Sequence, residues 1–177
     1  IKLQTFKADK LVTKGASKAA YQKGSLDKDE LQHSMLKKLE LSFEAHYKIF
    51  DYCTNKGIQF LSTAFDEESM GFLVNNLGME TLKISSGDIT NGPLLLAHAR
   101  TKRKIIISTG MANLNEIEKA LGVVAFGMVG GQNPTREAFR NAYVSNEGRH
   151  ILQKNVTLLH CTTEYPAPFV DINLNAM

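Results

Sequence analysis

With 177 residues, 43% of them hydrophobic and 22% charged, the chain has the balance of a domain that buries a core, which excludes a disordered segment. Its net charge of +3, from 21 basic against 18 acidic residues, is too small to argue for nucleic acid. Cys53 and Cys161 are the only cysteines, which excludes a disulfide scaffold and fits a reducing cytosol. No apolar run approaches the length of a membrane span, the first residues show no basic-then-apolar signal pattern, and no CxxC or Cys/His spacing points to structural zinc. The expectation is a cytoplasmic protein with no membrane or nucleic-acid partner. The first 60 residues hold 11 lysines against 7 acids, which reads as a solvated surface.

Five strand-like runs, rich in β-branched or apolar residues and bounded by Gly, Asn or Lys, lie at Ile1–Phe6, Ile58–Thr63, Thr81–Ser86, Lys104–Thr109 and Val156–Thr162. Helical patterns separate them. Ser42 caps the first, with Phe43, Tyr47 and Phe50 on one face and Gly57 at its end. Asp66 caps the second, with Met70 and Leu73 inward, and Asn91 with Pro93 opens the third. Asn113 to Glu116 is a capping box for the fourth, whose apolar face is Ile117, Ala120 and Leu121. Residues 131–154 read as inserted helical turns starting at Asn133-Pro134, and the polar stretch of residues 8–34 as a long functional loop.

Strand–helix alternation predicts a parallel sheet with crossover helices. Strand starts at 58, 81 and 104 repeat every 23 residues, a tight βα unit. Two architectures fit: a five-stranded doubly wound domain, or part of an eight-stranded barrel of about 250 residues. Residue 1 already opens a strand-like run and the last residues form no closing element, so the expectation is a segment of a barrel.

In either architecture ligands bind at the carboxyl ends of the strands. Those ends are alike and polar: Ser62-Thr63, Lys83 to Asp88, Ser108-Thr109-Gly110, and His160 to Tyr165. Hydroxyls, backbone N–H groups near Gly87 and Gly110, and a lysine make a phosphate cradle. Any one Ser or Thr here could simply cap the next helix. Lys83, inside a strand run, is costly unless it meets an anion or solvent; Lys2 and Gln4 alternate onto one face of the first strand. A Schiff-base role for Lys83 is the other reading, but an anion partner keeps the ammonium charged and spoils it as a nucleophile. Asp88 is either a general acid or base, or a turn cap. Tyr165 stands in a loop stiffened by Pro166 and Pro168 and can be held over a ligand. His33, His46, His98 and His150 read as surface residues, and His160 as a hydrogen-bonded core residue within a strand. No clustered His and carboxylate set supplies a metal site.

The segments Lys2-Leu-Gln4-Thr-Phe, Phe60-Leu-Ser-Thr-Ala-Phe-Asp66, Leu82-Lys-Ile-Ser-Ser-Gly-Asp88, Ile105-Ile-Ile-Ser-Thr-Gly-Met111 and Leu158-Leu-His-Cys-Thr-Thr-Glu-Tyr-Pro-Ala-Pro-Phe169 resemble the N-acetylneuraminate (sialic acid) synthase family, in order and along nearly the whole chain. The resemblance implies a (β/α)8 TIM barrel followed by a small antifreeze-like domain in a homodimer. Residues 1–177 would then hold strands two to six. Strand one, strands seven and eight and the C-terminal domain would lie outside them. The implied reaction condenses phosphoenolpyruvate with N-acetylmannosamine, with Mn²⁺ or Mg²⁺ bound by histidines outside this segment. A sister synthase making legionaminate or pseudaminate from a 2,4-diacetamido sugar is the alternative.

By the same resemblance Lys83, Ser86 and Ser108 meet the phosphate, Lys2 and Thr63 the carboxylate, and Gln4 and Tyr165 the sugar. Thr163 stands where some members carry a phosphate-side Asn, and Asp88 where many carry Glu. Lys2, Lys83 and Asp88 are the expected catalytic residues.

Overall fold

A computed structural model describes residues 1–18, 30–163 and 165–177. It divides into two compact units, residues 1–77 and 78–177.

The first unit pairs two parallel strands, β1 (Lys2–Thr5) and β2 (Leu61–Ala64), in the register Lys2↔Leu61 through Thr5↔Ala64. Between them lie α1 (Ala8–Leu11), α2 (Gln32–Leu39) and α3 (Phe43–Asn55), and α4 (Glu67–Asn75) follows β2. The stretch expected to be one long loop, residues 8–34, thus carries α1 and the start of α2, and its central residues 19–29 lie outside the described residues. An ion-pair network joins these two short helices. Asp9 meets His33 at 2.9 Å and Lys37 at 3.4 Å, and Glu40 meets Lys37 at 3.1 Å and Lys7 at 3.4 Å. Polar side chains can therefore order a segment that has little apolar surface to bury.

Both expected caps form: Ser42 Oγ accepts from Ala45 N–H at 3.1 Å, and Asp66 Oδ1 from Ser69 N–H at 2.8 Å. The face that α3 buries differs from expectation. His46 and Cys53 point inward and Tyr47 is exposed, although its ring packs edge-on against Phe72 of α4. Phe43 stacks on the same Phe72 ring with centroids 4.0 Å apart.

His46, expected at the surface, is fully buried because it has partners on both ring nitrogens. Its Nδ1 lies 2.8 Å from the Ser42 carbonyl, which can only accept, so Nδ1 carries the hydrogen. Nε2 then accepts from Thr5 Oγ1 at 2.8 Å, and Thr5 Oγ1 accepts from Ser62 Oγ at 2.7 Å. This chain ties α3 to the back of both strands. The alternation of a strand sends Lys2 and Gln4, with Thr63 opposite Gln4, to the other face.

The second unit holds β3 (Thr81–Ile84), α5 (Gly92–Arg100), β4 (Lys104–Ser108), α6 (Leu114–Met128), α7 (Arg136–Val144), α8 (Asn146–Asn155) and β5 (Val156–Leu159). β4 pairs in parallel with β3 on one side and β5 on the other. Ile84, Ile105 and Ile107 point to one face and form a core with Leu95, Ala99, Ala120, Val124 and Phe126 of the helices. Asn91 caps α5, and Asn113 with Glu116 makes the reciprocal capping box on α6. The insert after α6 begins at Thr135 rather than at Asn133-Pro134, because Thr135 Oγ1 accepts from Ala138 N–H at 3.0 Å.

His98 of α5, also expected at the surface, is fully buried. Its Nδ1–H donates to the Leu94 carbonyl at 2.9 Å, and its Nε2 is buried without a partner among the described residues. Burial disfavours the imidazolium and pushes the His98 pKa below its ordinary value, with the Leu94 bond opposing weakly. The unfolded chain therefore binds more protons than the native one once the pH falls through the ordinary histidine range. Stability should decline on acidification below about pH 6.5, and continue to decline until the native pKa is reached. Urea midpoints measured from pH 8 to pH 5 test this, and the acid-side slope should flatten in His98→Phe.

Candidate functional site

The second unit brings together Lys83 and Ser108, which sequence reading assigns to one anion. Lys83↔Ile106 and Ile84↔Ile107 are register partners. Alternation therefore puts Lys83, Ile106 and Ser108 on the face opposite the helix-packed isoleucines. Lys83 is only 7% exposed, and its Nζ donates to Ser108 Oγ at 2.6 Å and to the Ile84 carbonyl at 2.8 Å. Two oxygens thus replace part of the hydration that burial removes from the ammonium. With its oxygen occupied by the lysine, the Ser108 hydroxyl hydrogen can turn toward a third group. An anion placed there meets a cation and a hydroxyl donor together.

Past β3 a short 3₁₀ turn carries Ser86, Gly87 and Asp88. Ser85 holds the turn: its carbonyl accepts from Asp88 N–H at 3.1 Å and its Oγ from Gly87 N–H at 3.4 Å. Ser86 is half-buried. Asp88 is not a side-chain cap. That task belongs to Asn91, whose Oδ1 accepts from Leu94 N–H at 3.3 Å. The Asp88 carboxyl is half-buried, and burial raises its pKa above the ordinary value. Among the described residues no hydrogen bond or ion pair to this carboxyl offsets that burial.

The ends of β4 and β5 are locked together. Thr109 N–H and Oγ1 both donate to the Leu159 carbonyl, at 3.2 and 2.9 Å. A Cβ on Gly110 would stand 2.5 Å from the Thr162 carbonyl oxygen. Gly110 is therefore explained by close backbone packing rather than by a free N–H for phosphate. Thr109, expected among the hydroxyls of the phosphate cradle, instead spends its hydroxyl on the Leu159 carbonyl. His160 lies just beyond β5, not within it, and its Nε2 is buried without a partner among the described residues. Thr163 and Tyr165 are exposed in the following loop, where the Tyr165–Pro166 bond is cis.

In the first unit Lys2 and Gln4 are exposed and Thr63 is buried, all on the face that turns away from the His46 chain. Among the described residues no three His, Cys, Asp or Glu side chains come together as a metal site. None of their helices is long and apolar enough to cross a membrane.

Parallel βα units with hydroxyls and a buried lysine at the strand ends define a segment of a TIM-barrel-like α/β fold with a candidate anion site. The chain belongs to the NeuB family, whose model matches residues 1–177. It is 44% identical over its full length to the N,N'-diacetyllegionaminic acid synthase of Campylobacter jejuni, covering 46% of that protein. It is also 44% identical to the enzyme of the same name from Legionella pneumophila, covering 44% of it. The chain thus spans somewhat less than half the length of the curated relatives it matches. The solved N-acetylneuraminic acid synthetase of Leptospira borgpetersenii shares the fold, with a TM-score of 0.67 at 24% identity over 99% of this chain and 47% of that one.

Proposed function

We propose that the full-length protein condenses phosphoenolpyruvate with a 2,4-diacetamido sugar, giving a legionaminate-type nine-carbon acid and inorganic phosphate. This replaces N-acetylmannosamine, the first expectation for the acceptor. The 44% identity to two proteins named as N,N'-diacetyllegionaminic acid synthases supports the diacetamido sugar, whereas the sialic acid synthetase neighbour stands at 24%. The observation that carries the phosphoenolpyruvate half is the buried Lys83 ammonium held 2.6 Å from Ser108 Oγ at the strand ends.

Lys83, Ser108 and Ser86 hold the phosphate and stabilise its charge in a partly desolvated place. The family resemblance assigns Lys2 and Thr63 to the carboxylate, and Gln4 and Tyr165 to the sugar, where they act by orientation. Thr163 donates its hydroxyl on the phosphate side. The methylene carbon of phosphoenolpyruvate forms a C–C bond to the open-chain aldehyde carbon, whose oxygen takes a proton and becomes a hydroxyl. Asp88, with its raised pKa, is the carboxyl that supplies this proton. Water adds to the cationic central carbon and loses a proton. The bond from that carbon to the phosphate oxygen then breaks, and phosphate leaves. A divalent cation, Mn²⁺ or Mg²⁺, belongs to this proposal as a Lewis acid held by residues outside those described, as does a homodimeric assembly.

The test is a phosphate-release and product assay on the full-length protein with phosphoenolpyruvate and either sugar. The diacetamido sugar should be preferred by at least tenfold in kcat/KM. Equal or better use of N-acetylmannosamine would return the assignment to a sialic acid synthase, and no phosphoenolpyruvate consumption with either sugar would defeat the reading.

A further inference from the structure

On the helical side of the second unit, α6 and α7 cross closely: a Cβ on Gly122 would lie 2.9 Å from the Phe139 carbonyl oxygen. Beside this crossing opens a groove of about 550 Å³, within the size range of small-molecule sites. Its walls carry Lys119 from α6 and Arg136 and Arg140 from α7, with Glu118 as the one acid. Arg136, Arg140 and Tyr143 stand at i, i+4 and i+7, so one face of α7 presents two guanidinium groups and a phenol to the same space. None of the three cations has an ion pair among the described residues. Phe139 and Tyr143 give the groove an aromatic side; the Phe139 ring is fixed edge-on against Phe126, with centroids 5.1 Å apart.

We propose that this groove is a second ligand site, separate from the strand-end site, which takes a small molecule bearing a phosphate group. Three cations against one carboxylate leave an excess of two positive charges, matching a phosphate dianion. The planar forks of Arg136 and Arg140 suit phosphate oxygens in pairs, which a lysine-only surface would not. The aromatic side accepts the organic part of the molecule. α7 supplies both arginines and the aromatic wall, and exposed Glu118 and Lys119 of α6 form the opposite rim. The groove lies among helices, whereas Lys83 and Ser108 lie on the strand face turned away from them.

Isothermal titration of the full-length protein with adenosine monophosphate, and separately with inorganic phosphate, tests the proposal. Both probes should bind to a Lys83→Ala variant, which removes the strand-end lysine and leaves the groove intact. In an Arg136→Ala/Arg140→Ala double variant made on that background, both should bind at least tenfold more weakly. Arg136→Lys/Arg140→Lys should recover part of the loss, since charge returns without the fork. The replaced arginines are exposed, so the urea midpoint should not move and a folding defect is recognised separately. No saturable binding to Lys83→Ala up to about 10 mM, a concentration where even millimolar affinity registers, would overturn the proposal. Binding that the double Ala variant leaves unchanged would overturn it as well. Loss of all binding in Lys83→Ala alone would place every phosphate at the strand ends and end the case for a second site.

Discussion

Lys83→Ala in the full-length protein is expected to weaken phosphoenolpyruvate capture by roughly 10- to 150-fold, while equilibrium affinity for the sugar stays nearly the same. The variant removes the cation that lies 2.6 Å from Ser108 Oγ. A lost charge-assisted contact is worth about 1.5–3 kcal/mol, which sets that range. On the proposed assignment the sugar side keeps Gln4 and Tyr165. Lys83→Arg retains the charge but puts a wide planar fork where a compact ammonium sits between the Ile84 carbonyl and Ser108. It should therefore recover only part of the rate. A lysine that merely ended a strand would cost less than about 0.5 kcal/mol on either substrate. Steady-state kinetics with both substrates varied, and circular dichroism to confirm folding, separate the two outcomes. Unchanged phosphoenolpyruvate kinetics would remove Lys83 from the site. Borohydride trapping of a substrate adduct on Lys83 would point instead to Schiff-base chemistry.

Gly110→Ala should damage both stability and activity. The added methyl group meets backbone, with Thr162 O at 2.5 Å, Thr162 C at 2.9 Å and Cys161 C at 3.2 Å. Backbone cannot swing aside as a flexible side chain can, so the segment after β5 must move. Overpacking of this kind costs about 1–3 kcal/mol. The movement also pulls on the Thr109 bonds to Leu159 and shifts Ser108 relative to Thr163. The kcat/KM for phosphoenolpyruvate should therefore fall together with the urea midpoint. Gly87→Ala is the matched control. Its nearest neighbours, Met111 Sδ and Ser85 Oγ, are both at 3.9 Å, an ordinary contact. That variant should change stability by less than about 0.5 kcal/mol. Equal effects at the two glycines would refute the close-packing account of Gly110.

Local chemistry made much of the architecture legible in the residues alone. Ser42, Asp66, Asn91 and Asn113 announce their helices because a short polar side chain satisfies N–H groups a few residues away, a contact that needs no tertiary partner. The parallel strands, the alternation that separates Lys83 from Ile84, and the polar strand ends are local in the same sense. β3, β4 and β5 end short of the expected runs, at Ile84, Ser108 and Leu159, whereas β2 is displaced forward, from Leu61 to Ala64.

Only the tertiary structure decided which polar groups are buried. His46 and His98 look like surface residues on their helices. Their burial depends on partners remote in sequence, Thr5 and Ser62 for His46, or on packing that no periodicity encodes, as for His98. The same holds for Gly110, whose reason is a carbonyl 52 residues away, and for the groove beside α7, whose walls come from two helices with separate sequence patterns. The residues determined that a lysine and a serine stand near strand ends. The register of β3 on β4 decided that they meet, because sequence spacing alone does not say which residues of neighbouring strands lie side by side.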